Sequence, residues 1–217
     1  MLELNFFDPK QEYFVVERRL PHWAQAGVVC FMTWRTADSL PKEVVERCIN
    51  DRDELLQRHG IHPQGDWRAA LQRLKPVIRE QVKWAISERW DQSLDECHGT
   101  CLLRRPELSK IVADNLRHLD GQDYELTDFV VMPNHVHVLA AFQTAEAMLP
   151  RAAAWRRYEA REINKLIGET GHFWQEDGFD HLVRSPEHFE HYRRYIANNP
   201  IKARLRPGEY VHYSKPL

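Results

Sequence analysis

Residues 124–142 read YELTDFVVMPNHVHVLAAF. Two runs rich in β-branched, aromatic and aliphatic residues flank Met132-Pro133-Asn134. Proline has no N–H to give to a sheet ladder, so Pro133 marks a break, bulge or turn between two strands. On a strand, residues i and i+2 point to the same face. His135 and His137 therefore share one face, and Val136 and Val138 pack on the other. Two imidazoles so placed can reach one metal ion. Two surface or hydrogen-bonded histidines that happen to alternate would give the same pattern.

Outward from this pair, residues 25–36, QAGVVCFMTWRT, read as an earlier strand. The stretch from Ser39 to Gly60 has apolar residues at Val44, Val45, Cys48, Ile49, Leu55 and Leu56. That spacing predicts an amphipathic helix, with Ser39 as its N-cap. Helical patterns follow at about 67–90, where Pro76 kinks or divides the segment, and at 106–119. Another runs from Pro150 to Ile167 and ends at Gly168 and Gly171. The last starts at Ser185-Pro186-Glu187, which combines a capping hydroxyl, a first-turn proline and early acidic charge. The expected fold is α+β: a mainly antiparallel central sheet with helices packed on it, and a helical insertion at about 41–95 within one domain spanning 1–217.

The chain of 217 residues is 43% hydrophobic and 29% charged, enough apolar content to build a core without disulfides or a structural metal. It holds no apolar run of membrane-spanning length and does not begin like a secretory signal, so a cytoplasmic protein is expected. Cys30, Cys48, Cys97 and Cys101 then read as reduced thiols. The pair in CHGTC, with His98, lacks the second pair that a tetrahedral zinc site needs. Net charge is −2, which speaks against a uniformly basic nucleic-acid binder. Charge is uneven, however. Residues 151–206 carry eleven Lys+Arg against eight Asp+Glu, whereas residues 1–150 carry eighteen against twenty-three. The basic surplus sits in one segment, as a local nucleic-acid face requires.

That segment holds a second group, HFEHYRRYIANNPIKARL at 188–205. Phe189, Tyr192 and Ile196 follow helical spacing toward a core. His191, Tyr195 and Asn199 lie four apart and form another face, so Tyr195 is expected on a different side from Tyr192. A tyrosine with a carboxamide one turn later makes a possible nucleophile beside a metal ligand; a solvated tyrosine near a helix end is the plainer alternative. Pro200 disfavours helical backbone at Asn199, which predicts a distorted last turn. Arg157, Arg161 and Lys165 form a basic stripe, with Trp155, Tyr158, Leu166 and Ile167 on the core side. Phe173 and Trp174 sit in a loop, where they can stack on bases or anchor the loop in the core. Lys202, Arg204 and Arg206 follow the tyrosine helix and can hold phosphates.

The joint occurrence, in order, of MPNHVH (132–137), FWQ (173–175), FDHLVR (179–184) and YIANNPIKA (195–203) resembles the REP-associated tyrosine transposases, within the single-tyrosine HUH superfamily. The likeness runs from LPHW (20–23) and FMTWRTADSLP (31–41) to Leu205. One departure is Gly178, where such proteins more often carry an aromatic residue before Phe-Asp. The resemblance implies a ferredoxin-like HUH core, His135, His137 and Asn199 as metal ligands, and Tyr195 as the nucleophile. It also implies magnesium or manganese as the metal, and single-stranded DNA near REP-type palindromic hairpins as the substrate. Attack by Tyr195 would leave a 5′-phosphotyrosine and a free 3′-hydroxyl. Arg157, Arg161, Lys165, Trp174, Lys202 and Arg204 are the expected DNA contacts. A nucleoid-associated monomer or homodimer is expected, with both imidazoles partly exposed in a groove. Two other readings stand beside it: a metal-dependent phosphodiesterase that uses water, and a hairpin-binding protein without catalysis.

Overall fold

The computed structural model describes residues 4–17, 21–176 and 178–216. Leu20 of LPHW and Asp177 of the loop before Phe179 lie outside the described residues. The chain forms two compact units, Met1–Ser39 with Thr100–Leu217, and Leu40–Gly99.

The first unit carries a five-stranded, wholly antiparallel sheet of β3 (Val29–Arg35), β4 (Tyr124–Val131), β5 (His135–Phe142), β6 (Phe179–Leu182) and β7 (Val211–Ser214), in the order β6-β3-β5-β4-β7. A separate two-stranded ribbon of β1 (Phe14–Glu17) and β2 (Pro21–Ala24) precedes it, where the sequence pattern predicts no strand. Helix α4 (Pro106–Arg117) links β3 to β4, and α5 (Ala145–Ile167) links β5 to β6. Without the β1–β2 ribbon, β7 and the helix between β6 and β7, the unit is a βαββαβ arrangement of ferredoxin type. Helices α4 and α5 pack on one sheet face, burying Val112, Leu116, Trp155 and Ile163 against Phe129, Val131, Val136 and Val138. Helix α6 (Pro186–Lys202) takes the other face, where Phe189 and Ile196 meet Phe31, Val130, Met132 and Leu139.

The central strands β4 and β5 are buried along their whole length. A register shift between Leu126 and Asp128 explains how β4 serves both faces. One extra residue reverses the alternation, so Phe129 and Val131 join Leu126 on the α4/α5 side and Val130 turns toward α6. The turn after β4 is closed by the Met132 amide, which donates to the His135 carbonyl at 2.8 Å. Pro133 sits there without a ladder bond to lose, as its chemistry required.

Helices α1 (Lys42–Arg58), α2 (Trp67–Gln72) and α3 (Pro76–Asp95) make up the second unit. Pro76 does divide the expected 67–90 helix, and it opens α3 at the first helical position. Ser39 does not cap α1. Pro41 occupies the cap position, and the Ser39 hydroxyl instead donates to the Thr36 carbonyl at 2.7 Å and accepts from Arg35 at 2.9 Å. Ser185 does cap α6, accepting from the His188 amide. Helix α6 continues through Asn199-Pro200 to Lys202, and the Asn199 carbonyl accepts from the Ala203 amide at 3.1 Å. Among the described residues no helix is long and apolar enough to cross a membrane.

Candidate metal and nucleophile site

Strand β5 sends His135 and His137 to the face covered by α6. Across the ladder, His135 lies opposite Arg35, and His137 lies between Thr33 of β3 and Val130 of β4. Each imidazole has its Nδ1 already engaged. His135 Nδ1 is 2.8 Å from Asn134 Oδ1, and His137 Nδ1 is 2.7 Å from Thr33 Oγ1. An amide oxygen only accepts, so the His135 proton resides on Nδ1 and Nε2 keeps its lone pair. On the same logic Asn199 Nδ2, 3.5 Å from His137 Nε2, donates to that nitrogen, and His137 Nδ1–H donates to Thr33. The last turn of α6 thus brings the Asn199 carboxamide against both histidines. It also lies near enough to favour protonated His135.

Burial is complete: His135 is 0% exposed, His137 1% and Asn199 0%. This corrects the expectation of imidazoles partly exposed in a groove, because Phe31 and Tyr195 lay their rings against His137. Burial pushes the His135 pKa down to about 4, against the smaller opposing influence of the nearby Asn199 carboxamide. It lowers His137 well below the ordinary range, with the nearby His135 adding to the effect. Both rings are neutral near pH 7, the state in which imidazole binds metal. Among the described residues, His135 Nε2 and Asn199 Oδ1 are buried without a hydrogen-bond partner. Buried lone pairs of this kind, on neighbouring side chains and unsatisfied by protein, fit a divalent cation. The described residues contain no group of three His, Cys, Asp or Glu suited to a metal; the third polar group beside the two imidazoles is the Asn199 carboxamide.

Tyr195 stands beside this group. Its ring centroid is 5.2 Å from that of His137, at 74°, and Lys202 Nζ lies 5.2 Å over the same ring. Tyr192 is not on another side of the helix. It stacks on Phe31 at 4.2 Å, while Tyr195 meets the same Phe31 edge-on at 5.8 Å. Residues three apart are neighbours on a helix surface, so the expected separation of the two tyrosines was geometrically too strict. Tyr195 lies edge-on to His137 as well.

The remaining expected contacts divide. Lys202, the last residue of α6, is exposed with its ammonium over the Tyr195 ring, and Arg204 is exposed just beyond the helix. Arg157, Arg161 and Lys165 are exposed on α5, which covers the opposite face of the sheet, so the fold does not bring this stripe to the imidazoles. Arg161 also pairs with Glu162 at 2.9 Å. On α5, Tyr158 and Leu166 are exposed, and Glu159 and Ile163 take the inward positions expected of them. Trp174 is corrected as a stacking residue: it is 6% exposed and meets Trp34 edge-on at 6.3 Å, inside the core. Gly178 is explained by space, since a Cβ there would lie 2.9 Å from the Thr33 carbonyl oxygen.

Sequence reasoning missed Thr33, Asn134, Arg35 and Phe31. Asn134 precedes the histidines directly, and its amide could have been read as a partner. The other three reach the site through strand register alone.

No family model matches the chain, and no curated protein matches it. Among solved structures, the chain is similar to a REP-associated tyrosine transposase bound to a REP hairpin, at 14% identity and a TM-score of 0.42. The match covers 86% of this chain and 73% of that one. A likeness this loose carries no weight for the site.

Proposed function

We propose that this protein cuts and rejoins single-stranded DNA, with Tyr195 as the nucleophile and a divalent metal, magnesium or manganese, held by His135, His137 and Asn199. One observation carries the reading: two neutral imidazoles and a carboxamide converge at a buried point, with the Tyr195 ring alongside. The substrate class, palindromic hairpins of the REP type, is what the resemblance carried by MPNHVH, FDHLVR and YIANNPIKA implies.

When bound, the metal supplies a Lewis acid that polarises the scissile phosphate and stabilises the charge that develops on it. The protein's residues do the rest. Thr33 and Asn134 hold the imidazoles with Nε2 turned toward the site. Lys202 holds its ammonium over the Tyr195 ring and brings positive charge to the place where the phosphate would arrive. The phenol oxygen of Tyr195 attacks phosphorus; the Tyr195 O–P bond forms and the bond from phosphorus to the 3′-oxygen breaks. In the net reaction the phenolic proton ends on the departing 3′-oxygen. The phosphodiester is exchanged rather than lost, so a 3′-hydroxyl can reverse the step without a nucleotide cofactor. Because the imidazoles are buried, a phosphate reaches them only as the side chains over them part, and half-buried Tyr195 is one of these. All four groups come from one chain, so the chemistry needs no second copy. Residues 40–99 supply none of them.

The test is a denaturing gel of end-labelled single-stranded hairpin DNA incubated with the protein and manganese. Wild-type protein should give a covalent DNA–protein band. Tyr195→Phe keeps the ring and its packing but should lose the band and cleavage by roughly a thousandfold or more. A band that persists in Tyr195→Phe places the nucleophile elsewhere. Cleavage by wild type without any band would replace the tyrosine with water.

A further inference from the structure

The rings around His137 do not stop at the site. Phe31 stacks on His137 (5.4 Å between centroids) and on Tyr192 (4.2 Å). Tyr192 lies against His188 at 4.6 Å and His181 at 6.2 Å. His181 in turn lies nearly parallel to Phe179, with centroids 6.4 Å apart and 7° between the ring planes. The run starts beside Tyr195 and ends on β6, an edge strand, where Phe179 is 44% exposed.

Strand register fixes where that end stands. Phe179 is directly opposite Thr33, and Thr33 is directly opposite His137. Directly opposed residues share a sheet face and are about 5 Å apart, so Phe179 lies two steps, about 10 Å, from His137 on the same face. A strand with bases stacked at about 3.4 Å covers that span in about three nucleotides, and an extended strand in fewer. The approach of β6 to β3 at Gly178 leaves no room for a side chain there, which holds Phe179 in place. Arg184, exposed just beyond β6, adds positive charge to the same segment. A single exposed phenyl ring is ordinary on a protein surface. This one is distinguished by its register to the imidazoles and by the unbroken path of rings behind it.

We propose that Phe179 and His181 form a base-stacking subsite for single-stranded DNA, taking a nucleobase within about three nucleotides of the scissile phosphate. This rests on the reading of His135, His137, Asn199 and Tyr195 as a DNA-nicking site. Every base has a π-face, so the subsite tolerates any base and positions the strand without reading its sequence. It also supplies the stacking surface that buried Trp174 does not.

The full-length protein can be titrated against fluorescent oligo(dT) at several salt concentrations. Phe179→Ala should weaken binding about tenfold, the effect of one lost base stack. Phe179→Leu, which keeps apolar bulk without a π-face, should weaken it similarly, and Phe179→Trp should retain wild-type affinity. The salt dependence should stay the same in all three, because no phosphate contact is lost. Photocrosslinking to an oligonucleotide containing 5-iododeoxyuridine should give adducts on Phe179 or His181. Equal affinity of wild type, Phe179→Ala and Phe179→Leu, or crosslinks confined to α5, would overturn the subsite while leaving the nicking site standing. Loss of affinity in Phe179→Trp as well would show that bulk, not stacking, matters, and would overturn it too. A wild-type protein that binds no single strand, yet still holds manganese, overturns both readings.

Discussion

The two faces of the central sheet each bury ionisable groups, and they deal with them differently. On the α4/α5 face, Glu159 is 0% exposed, and its Oε1 accepts from Asn115 Nδ2 at 2.9 Å. The same Asn115 amide lies 3.3 Å from the Trp155 carbonyl oxygen, so the contact ties α4 to α5. Trp34 lies near enough to favour the charged carboxylate without completing a hydrogen bond. Burial nonetheless pushes the Glu159 pKa up to about 8, so this face stays neutral by holding a proton. On the α6 face, His135 and His137 stay neutral by giving protons up. Both solutions avoid buried charge. The difference lies in where the remaining atoms point. Glu159 is a single group bound into a helix–helix contact. The imidazoles have their Nδ1 atoms engaged on the strand side and turn their Nε2 atoms toward one carboxamide. Burial alone therefore does not mark a site; convergence of several donors does.

The largest effect should come from emptying the α6 side. His135→Ala combined with His137→Ala is expected to abolish manganese-dependent nicking. Because both rings are buried, it should also lower stability, by roughly 2–5 kcal/mol on the scale of large-to-small core changes. Nicking assays and urea unfolding read the two effects separately. Nicking that survives in a folded double variant removes the histidines from the metal site.

The α4/α5 side should respond to pH instead. Glu159 ionises near 4.5 when exposed and near 8 in the fold. Between those values the folded protein keeps a proton that the unfolded chain releases, so stability falls as pH rises through this window and levels off above it. Glu159→Gln cannot ionise. It should match wild type near pH 5 and exceed it near pH 8 by up to roughly 4 kcal/mol. Urea midpoints at the two pH values decide this. Parallel pH dependence in both proteins would mean that Glu159 is charged in the fold, and the contrast between the faces would lose one side.

Much of this architecture is written locally in the sequence, and the rest depends on register. The β4–β5 pair, the break at Pro76 and the Ser185 cap follow from residue chemistry at the position itself. Ser39 misled because its hydroxyl had a nearer partner in the Thr36 carbonyl. The β1–β2 ribbon was missed because four-residue strands carry too little periodicity to read, and Pro21 lowers the strand signal further. His135, His137, Tyr195 and Asn199 were legible as separate motifs. Their meeting was implied by family resemblance, since nothing within β5 or α6 alone specifies contact between them. The roles of Thr33 and Phe179 were invisible for the same reason: each acquires meaning only when β3, β5 and β6 are laid side by side.

The smallest expected effect sharpens the α6 side of the comparison. If convergence of Nε2 atoms matters, whatever holds the opposite nitrogens should matter too. Thr33 Oγ1 is the atom at His137 Nδ1, 2.7 Å away and buried. Thr33→Val keeps the shape and removes the hydroxyl, so the imidazole loses the shorter of the two contacts that keep its proton on Nδ1 rather than on Nε2. Loss of such an outer partner typically weakens metal binding about 10–100-fold, and the lower end is expected here because Asn199 still contacts Nε2. Thr33→Ser should restore most of the affinity. Manganese binding followed by electron paramagnetic resonance reads this without requiring cleavage, and the thermal midpoint controls for folding. A merely structural hydroxyl would lower the thermal midpoint and leave the manganese affinity unchanged. Affinity equal in wild type and Thr33→Val would show that the β3 hydroxyl does not orient His137, and that the site-facing nitrogen is set by Asn199 alone.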